Sequence, residues 1–209
     1  MVLENLGELK IGLMGGSFDP VHNGHIALAQ CALEQLELDR VVMIPAGKPP
    51  HKRHSTLSDS KHRWAMMERA VEGIAGIEAS RIELDLPGIS YTVNTLRMLR
   101  EQLGISAELT LIIGADQLLD LENWRESVEL FRLCRIAVAH RPGCEMDQVN
   151  RQMHRLKEIY NASLVLLKAP LMDVSATEIR QHISTGESAA EWLSEGVWEY
   201  IQKEHLYVG

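Results

Sequence analysis

The sequence predicts an α/β fold in which helices flank an open, mostly parallel sheet. Short apolar runs alternate along the chain with segments whose apolar residues recur at helical spacing. Strands that alternate with helices imply right-handed crossovers, and these place the strands parallel. The length of 209 residues and the hydrophobic fraction of 45% fit one soluble domain over residues 1–209, with a helical C-terminal portion from about 174 to 209.

The elements follow one another in a regular order. Apolar or alternating runs predict strands at Lys10–Met14, Arg40–Pro45, Ser80–Leu86, Leu109–Ile113, Ile136–Ala139 and Leu164–Leu167. Helical spacing predicts helices over about Asn23–Leu36, from Trp64 to Ile74, from Val93 to Leu103 and over Met146–Tyr160, with a short helical stretch after Asp116. Ligands of such sheets bind beyond the carboxyl ends of the strands. The segments that follow strands, 15–20, 46–54, 114–116 and 169–174, should therefore meet at one edge, capped by the helices after Val174.

Composition and charge narrow the class of protein. The net charge of −8 disfavours a nucleic-acid partner, and no apolar run approaches the length of a membrane span. The N-terminus does not resemble a secretory signal, and the three cysteines form no CxxC pair, so we expect a cytoplasmic protein with reduced thiols. The oligomeric state stays open, a homo-oligomer included. The basic run from Lys48 to Arg63 is either a local anion site or a solvated face.

The first chemical motif runs from Gly15 to His25 (GGSFDPVHNGH) and opens a predicted helix. A glycine pair after a strand lets the backbone approach a ligand closely. His22 and His25 are three residues apart and should project from one helix face. Free N–H groups and the dipole at a helix N-terminus attract anions, which favours a phosphate site. A zinc pair is the alternative, but no third ligand lies nearby in the sequence, and ordinary surface histidines are another.

The second motif runs from Val174 to Arg180 (VSATEIR). Ser175 and Glu178 have the spacing of a capping box, which predicts a helix start on local grounds alone. Arg180 follows one turn later and is either solvated or part of an anion site. In the second case the motif is another helix N-terminus, whose arginine can bind two phosphate oxygens at once. Two such N-termini meeting in one crevice would suit a polyphosphate.

Together, the two motifs resemble the nucleotidyltransferase superfamily and its signatures GGxFDPxHxGH and [IV]SxTxxR. Between them the chain carries PPHK at 49–52, YTVNTL at 91–96, IGAD at 113–116 and Trp124. This series resembles bacterial nicotinate-nucleotide adenylyltransferases from about Lys10 to Tyr207. The resemblance implies one Rossmann-like nucleotidyltransferase domain. It also implies transfer of the adenylyl group of ATP to nicotinate mononucleotide, giving deamido-NAD and pyrophosphate. Mg²⁺ would be bound through the ATP phosphates, with no metal ligand from the protein.

The resemblance also assigns roles to individual residues. The catalytic groups would be His22, His25, Lys52 and Arg180. ATP would be bound by Gly15, Gly16, Ser17, Phe18, His22, His25, Gly114, Asp116, Ser175 and Arg180. Nicotinate mononucleotide would be bound by His51, Lys52, Thr92 and Trp124, with Trp124 stacking on the ring and Thr92 offering its backbone N–H.

For several single residues, a purely structural role stays open as the alternative. Trp124 could be a core residue, Asp116 and Thr92 could be helix caps, and Lys52 could be solvated. At the level of function, the chain could prefer nicotinamide mononucleotide over the acid. It could also be a non-catalytic nucleotide sensor, although such a protein would not need both histidines and Arg180.

Overall fold

The described part of the molecule, residues 9–49, 57–104, 106–139, 145–168 and 174–208 of a computed structural model, contains one parallel sheet. Its six strands have the order β3-β2-β1-β4-β5-β6. They are β1 (Lys10–Gly16), β2 (Arg40–Pro45), β3 (Ile77–Ala79), β4 (Glu108–Gly114), β5 (Arg135–Ala139) and β6 (Leu164–Leu167). Every neighbouring pair is parallel. The predicted α/β class is therefore confirmed.

Eight α-helices of the described residues flank the sheet. They are α1 (Asn23–Gln35), α2 (Ser60–Val71), α3 (Thr92–Leu103), α4 (Ala115–Asp120), α5 (Ser127–Leu133), α6 (Met146–Tyr160), α7 (Ala176–Ser184) and α8 (Glu195–Lys203). Single turns of 3₁₀ helix cover Leu121–Asn123 and Ala190–Trp192. The prediction missed α5, whose seven residues are too few to show a helical period. Helix α2 ends at Val71 rather than Ile74, because Gly73 turns the chain with a left-handed φ of 74°.

The two faces of the sheet bury two separate apolar layers. Adjacent residues of β1 point to opposite faces, so Leu13 packs with α3–α6 and Met14 packs with α1, α2, α7 and α8. Parallel strands covered on both faces need apolar residues at nearly every position. This need explains why β1, β2 and β4 appear in the sequence as continuous apolar runs.

The predicted strand at Ser80–Leu86 is wrong. Strand β3 lies just before it, and its ladder ends where Ser80 N donates to the Met43 carbonyl at 2.9 Å. The partner strand β2 ends at Pro45, so little backbone remains for pairing beyond Ser80. The chain turns instead, and Asp85 N donates to the Arg81 carbonyl at 3.0 Å. An alternating pattern without a partner strand forms no strand.

The C-terminal helices join one face of the molecule. Helix α7 begins at the ligand edge of the sheet, and α8 packs against α2, where His62 Nδ1 lies 2.9 Å from the Tyr200 hydroxyl. None of the helices in the described ranges is long and apolar enough to cross a membrane. The single-domain organisation, the cytoplasmic location and the oligomeric state stay predictions.

Candidate active site

The strand order reverses direction between β1 and β4. The glycines of the predicted site lie at the carboxyl ends of these two strands. Strand β1 leads to β2 on one side, whereas β4 leads to β5 on the other. Gly15 and Gly16 end β1, and Gly114 ends β4. The loop after β2 lies beside the end of β1, because Ala46 N donates to the Gly16 carbonyl at 2.8 Å. Such a reversal opens a crevice at the carboxyl ends of the strands. Of the four segments expected at this edge, 46–54 is described only to Pro49 and 169–174 only at Val174.

The glycine loop turns tightly over a buried phenylalanine. A Cβ at Gly16 would lie 3.1 Å from the Phe18 ring, whereas a Cβ at Gly15 would meet nothing within 4 Å. Phe18 is 3% exposed and has a φ of 47°. The Asp19–Pro20 peptide is cis. The missing side chain at Gly15 thus leaves open space at the end of β1.

His22 and His25 form one stacked pair at the start of α1. His22 is the N-cap residue, and its ring centroid lies 3.6 Å from that of His25. His22 N donates to Nδ1 of His25 at 3.2 Å, which fixes the second ring. The edge of the Phe18 ring contacts His25 with centroids 4.9 Å apart. The prediction that both histidines share one helix face is confirmed.

The second motif lies directly against the first. Ser175 caps α7, and its Oγ accepts from Glu178 N at 3.2 Å, which confirms the predicted cap. Arg180 Nη1 donates to the Asp19 carbonyl at 2.7 Å. A Cβ on Gly24 of α1 would lie 3.0 Å from Cγ1 of Val174. The N-termini of α1 and α7 are therefore neighbours, and the interpretation of Arg180 as merely solvated is wrong.

The buried carboxylate of Asp19 anchors the loop that follows Gly15 and Gly16. Asp19 is 3% exposed, and its Oδ2 accepts from Ser58 N at 3.1 Å. Its Oδ1 accepts from the Tyr207 hydroxyl at 2.6 Å. Burial raises the pKa of Tyr207 well above its usual value, and the charge of Asp19 raises it further. The penultimate described residue of the chain thus contacts the loop after the first strand.

Arg63 ties the loops after β1 and β2 together. Its side chain is 2% exposed and donates to the carbonyls of Ser17 at 3.0 Å and Ala46 at 2.7 Å. Burial lowers the pKa of Arg63, and the nearby Asp19 charge opposes this effect. Both interpretations of the basic run, a local anion site and a solvated face, are wrong for this residue. Arg63 binds backbone carbonyls inside the fold.

A cavity of about 710 Å³ opens at the same edge. Half of the predicted site residues that the structure describes line it, namely Gly15, Gly16, Ser17, Thr92, Asp116 and Trp124. The others, Phe18, His22, His25, Gly114, Ser175 and Arg180, lie outside its lining. Most of these belong to the two helix N-termini, and the loop from Ser17 to Asp19 joins them to the cavity. His51 and Lys52 lie outside the described residues.

The far end of the cavity is built by α3, α4 and the 3₁₀ turn before Trp124. Thr92 is the first residue of α3 and Asp116 stands in the first turn of α4, but their N-caps are Tyr91 and Gly114. The alternative interpretation of Thr92 and Asp116 as plain caps is therefore wrong. Trp124 is partly buried and also faces the cavity.

Sequence reasoning gave Glu83 no role, although its carboxylate lies in the cavity wall. Glu83 is 8% exposed and accepts from Thr95 Oγ1 at 2.7 Å. Burial raises the pKa of Glu83, and hydrogen bonds from Thr95, Ser90 and the Gly47 backbone partly oppose that rise. A Cβ at Gly47 would collide with the Glu83 carbonyl oxygen. The cavity wall therefore requires a glycine after β2.

Comparisons with known proteins identify the family and the fold. A family model described as cytidylyltransferase-like matches residues 13–182. A probable nicotinate-nucleotide adenylyltransferase of a Roseiflexus species is 40% identical over 97% of this chain and 100% of that protein. One from a Thermoanaerobacter species is 35% identical over 96% of this chain and 95% of that protein. The structure of Plasmodium falciparum nicotinic acid mononucleotide adenylyltransferase complexed with NaAD has the same fold, with a TM-score of 0.78 over 95% of this chain and 97% of that chain at 16% identity.

Proposed function

Because the chain belongs to the cytidylyltransferase-like family and to its nicotinate-nucleotide adenylyltransferases, we propose that it transfers the adenylyl group of ATP to nicotinate mononucleotide. The products are deamido-NAD and pyrophosphate, a step of NAD synthesis. The observation that carries this proposal is the hydrogen bond from Arg180 to the Asp19 carbonyl at 2.7 Å. It joins residues of the two motifs that are 161 positions apart in the chain, and it supports one shared triphosphate site.

The chemistry needs alignment more than it needs a base. The nucleophile is the 5′-phosphate of the mononucleotide, and a phosphate monoester is largely ionised at pH 7 because its second pKa is about 6. It attacks the α-phosphorus of ATP, the bond from that phosphorus to the bridging oxygen breaks, and pyrophosphate leaves. Catalysis then consists of holding two anions in line and neutralising the charge that develops on the leaving group.

The two helix N-termini suit that task. His22 and His25 at α1 and Arg180 in α7 would donate to phosphate oxygens, and Ser175 would bind an outer phosphate. Free backbone N–H groups in the first turn of each helix add fixed positive ends of dipoles. These donors are held before the substrate arrives, because the stacked imidazoles and the tie between Arg180 and Asp19 fix their positions. Lys52 stays a predicted catalytic group.

Mg²⁺ would enter with ATP rather than occupy a site of the protein. Among the described residues, no group of three or more His, Cys, Asp or Glu side chains could hold a metal. The phosphate site offers nitrogen donors, whereas Mg²⁺ prefers oxygen ligands and readily takes them from substrate phosphates. The residues therefore fit an ion held by the triphosphate. Bound in this way, Mg²⁺ would neutralise part of the phosphate charge.

The cavity would take the nucleosides. Gly15, Gly16 and Ser17 provide backbone without bulky side chains, and Asp116 would accept a hydrogen bond from a ribose hydroxyl of ATP. At the other end, Trp124 would stack on the pyridine ring, and Thr92 would offer its N–H to the ring carboxylate at the start of α3. His51 and Lys52 keep their predicted role in binding the mononucleotide.

A pyrophosphate-release assay tests the proposal. The purified protein is supplied with ATP alone, with ATP and nicotinate mononucleotide, or with ATP and nicotinamide mononucleotide. We expect release with the acid well above release with the amide. Release with the amide alone would reverse the substrate assignment, and no release with either mononucleotide would overturn the function.

A pair of arginine variants tests the shared triphosphate site. Arg180→Gln should lower kcat by about 10²-fold, the usual loss for one preorganised donor. Arg132→Gln removes the same charge from α5, where the side chain is 74% exposed and lies outside the cavity lining. The control should keep wild-type activity. Equal activity of both variants would contradict a role for Arg180.

A further inference from the structure

Three charged side chains line the described part of the cavity, and one of them is cationic. Glu83 lies in the wall, Asp116 stands at the start of α4, and Arg125 lies beside Trp124. The acid form of the mononucleotide carries a carboxylate on its ring, whereas the amide form is neutral there. A cavity with two carboxylates disfavours a third unless a cation lies close to it. Of the described residues that line the cavity, Arg125 provides such a charge, and it lies at the end with Trp124 and Thr92.

Arg125 lies at the N-terminus of α3. Its guanidinium carbon is 4.6 Å from the centroid of the Tyr91 ring, and Tyr91 is the N-cap residue directly before Thr92. The cation and the positive end of the helix dipole therefore act on the same region. Both favour an anion near the backbone N–H of Thr92.

The charge of Arg125 is only partly neutralised by its neighbour. Its Nε lies 3.5 Å from Oε1 of Glu126, whereas the other oxygen of Glu126 is 2.6 Å from Nη2 of Arg97. The hydrogen bond from Arg97 holds the pKa of Glu126 below its usual range. Two guanidinium groups thus share one carboxylate, which leaves a net positive charge. The Arg125 side chain is 55% exposed and has room to turn towards a ligand.

We propose that Arg125 is a specificity-determining residue, which selects the nicotinate acid over its amide by placing a positive charge beside the ring carboxylate. This inference rests on the proposed function and deepens it. Trp124 would stack on the pyridine ring of either substrate, so stacking by itself would not distinguish the acid from the amide. Arg125 supplies the difference between the two substrates.

The test measures kcat/KM for pyrophosphate release with each mononucleotide. Arg125→Gln removes the charge but keeps a polar, shorter side chain, and Arg125→Lys keeps the charge. We expect Arg125→Gln to lower the efficiency with the acid by about 5- to 50-fold, the effect of losing one partly exposed charged hydrogen bond. The efficiency with the amide should change less than about twofold, because the amide group on its ring is neutral. The KM for ATP should also change less than about twofold, because ATP places no negative group beside the pyridine ring. Arg125→Lys should keep most of the selectivity, and Arg132→Gln should keep all of it.

The acid-to-amide ratio separates selectivity from a structural role. A structural role would lower both efficiencies together, and that result would overturn the proposal, as would an unchanged ratio. The wild-type enzyme provides a second test without any variant, because salt screens an exposed charge. Its ratio should fall between 50 mM and 500 mM salt, and a constant ratio would also contradict the proposal. Failure of the proposed function is distinct, because the wild type would then release no pyrophosphate with either mononucleotide.

Discussion

Replacing Tyr207 by phenylalanine tests whether the C-terminal end of the chain holds the glycine loop. The hydroxyl lies 2.6 Å from Oδ1 of Asp19, a carboxylate that is only 3% exposed. Phenylalanine keeps the ring and its packing, so the substitution removes only the contacts of the hydroxyl, of which the hydrogen bond to Asp19 is shorter than the contact with Met66 Sδ at 3.9 Å. Asp19 retains the N–H of Ser58 at 3.1 Å on its other oxygen.

The expected loss follows from that geometry. A hydrogen bond to a buried charged group contributes about 1.5–3 kcal/mol to stability. Tyr207→Phe should therefore lower the free energy of unfolding by about 2 kcal/mol, which corresponds to a fall of about 6 °C in Tm for a protein of this size. Since the carbonyl of Asp19 holds Arg180, we also expect the KM for ATP to rise more than the KM for the mononucleotide.

The same residue predicts a dependence on alkaline pH. The pKa of Tyr207 is raised in the folded protein, first by burial and then by the charge of Asp19. Below about pH 10 the phenol is protonated in both the folded and the unfolded chain, so its contribution to stability is fully present. Above about pH 10 the unfolded chain loses the proton while the folded chain keeps it. Stability should then fall by up to about 1.4 kcal/mol per pH unit.

Urea unfolding of wild type and Tyr207→Phe, followed by circular dichroism at pH 8 and between pH 9.5 and 11, measures both effects. The variant should be less stable at pH 8 and should lose less stability than wild type above pH 10. A difference below about 0.5 kcal/mol at pH 8 is within the range of ordinary surface substitutions and would refute the buried hydrogen bond. An identical pH slope in both proteins would refute the assigned shift in pKa.

Three further substitutions test the site. His25→Ala should lower kcat by about 10²- to 10³-fold with little change in the circular dichroism spectrum, because it removes one preorganised donor. Trp124→Ala should raise the KM for the mononucleotide far more than the KM for ATP, because it removes stacking in the ground state. Gly47→Ala should lower the free energy of unfolding by about 1–3 kcal/mol in urea titrations, because its Cβ would collide with the Glu83 carbonyl oxygen.

Each of these predictions has an outcome that contradicts it. A His25→Ala enzyme within threefold of wild type would remove that imidazole from the mechanism. Equal effects of Trp124→Ala on both KM values would contradict stacking. For the backbone substitution, Gly73→Ala is a comparison in which the clash is absent and the strain of a left-handed φ of 74°, which Gly47 does not have, is the effect measured. A loss at Gly47 no larger than that of an exposed surface substitution would show that the cavity wall can shift.

Patterns within one or two turns of chain could be interpreted from the sequence by itself. The strands at 10–14, 40–45 and 109–113 are apolar at nearly every position because both faces of the sheet are covered, and a local run records that directly. His22 and His25 share a face because a helix places residues three apart together. The cap formed by Ser175 is likewise a contact between residues three positions apart.

Contacts between distant segments were decided only by the tertiary structure. The alternation at 80–86 predicts a strand, but β2 ends at Pro45 and leaves no partner for it. Arg63 belongs to a basic run in the sequence. In the fold its side chain is buried between the loops after β1 and β2, and it donates to carbonyls of both. Tyr207 and Asp19 are 188 positions apart, and no local pattern encodes their hydrogen bond. Side-chain periodicity reports which face of an element is buried, whereas the partner across that face depends on the path of the whole chain.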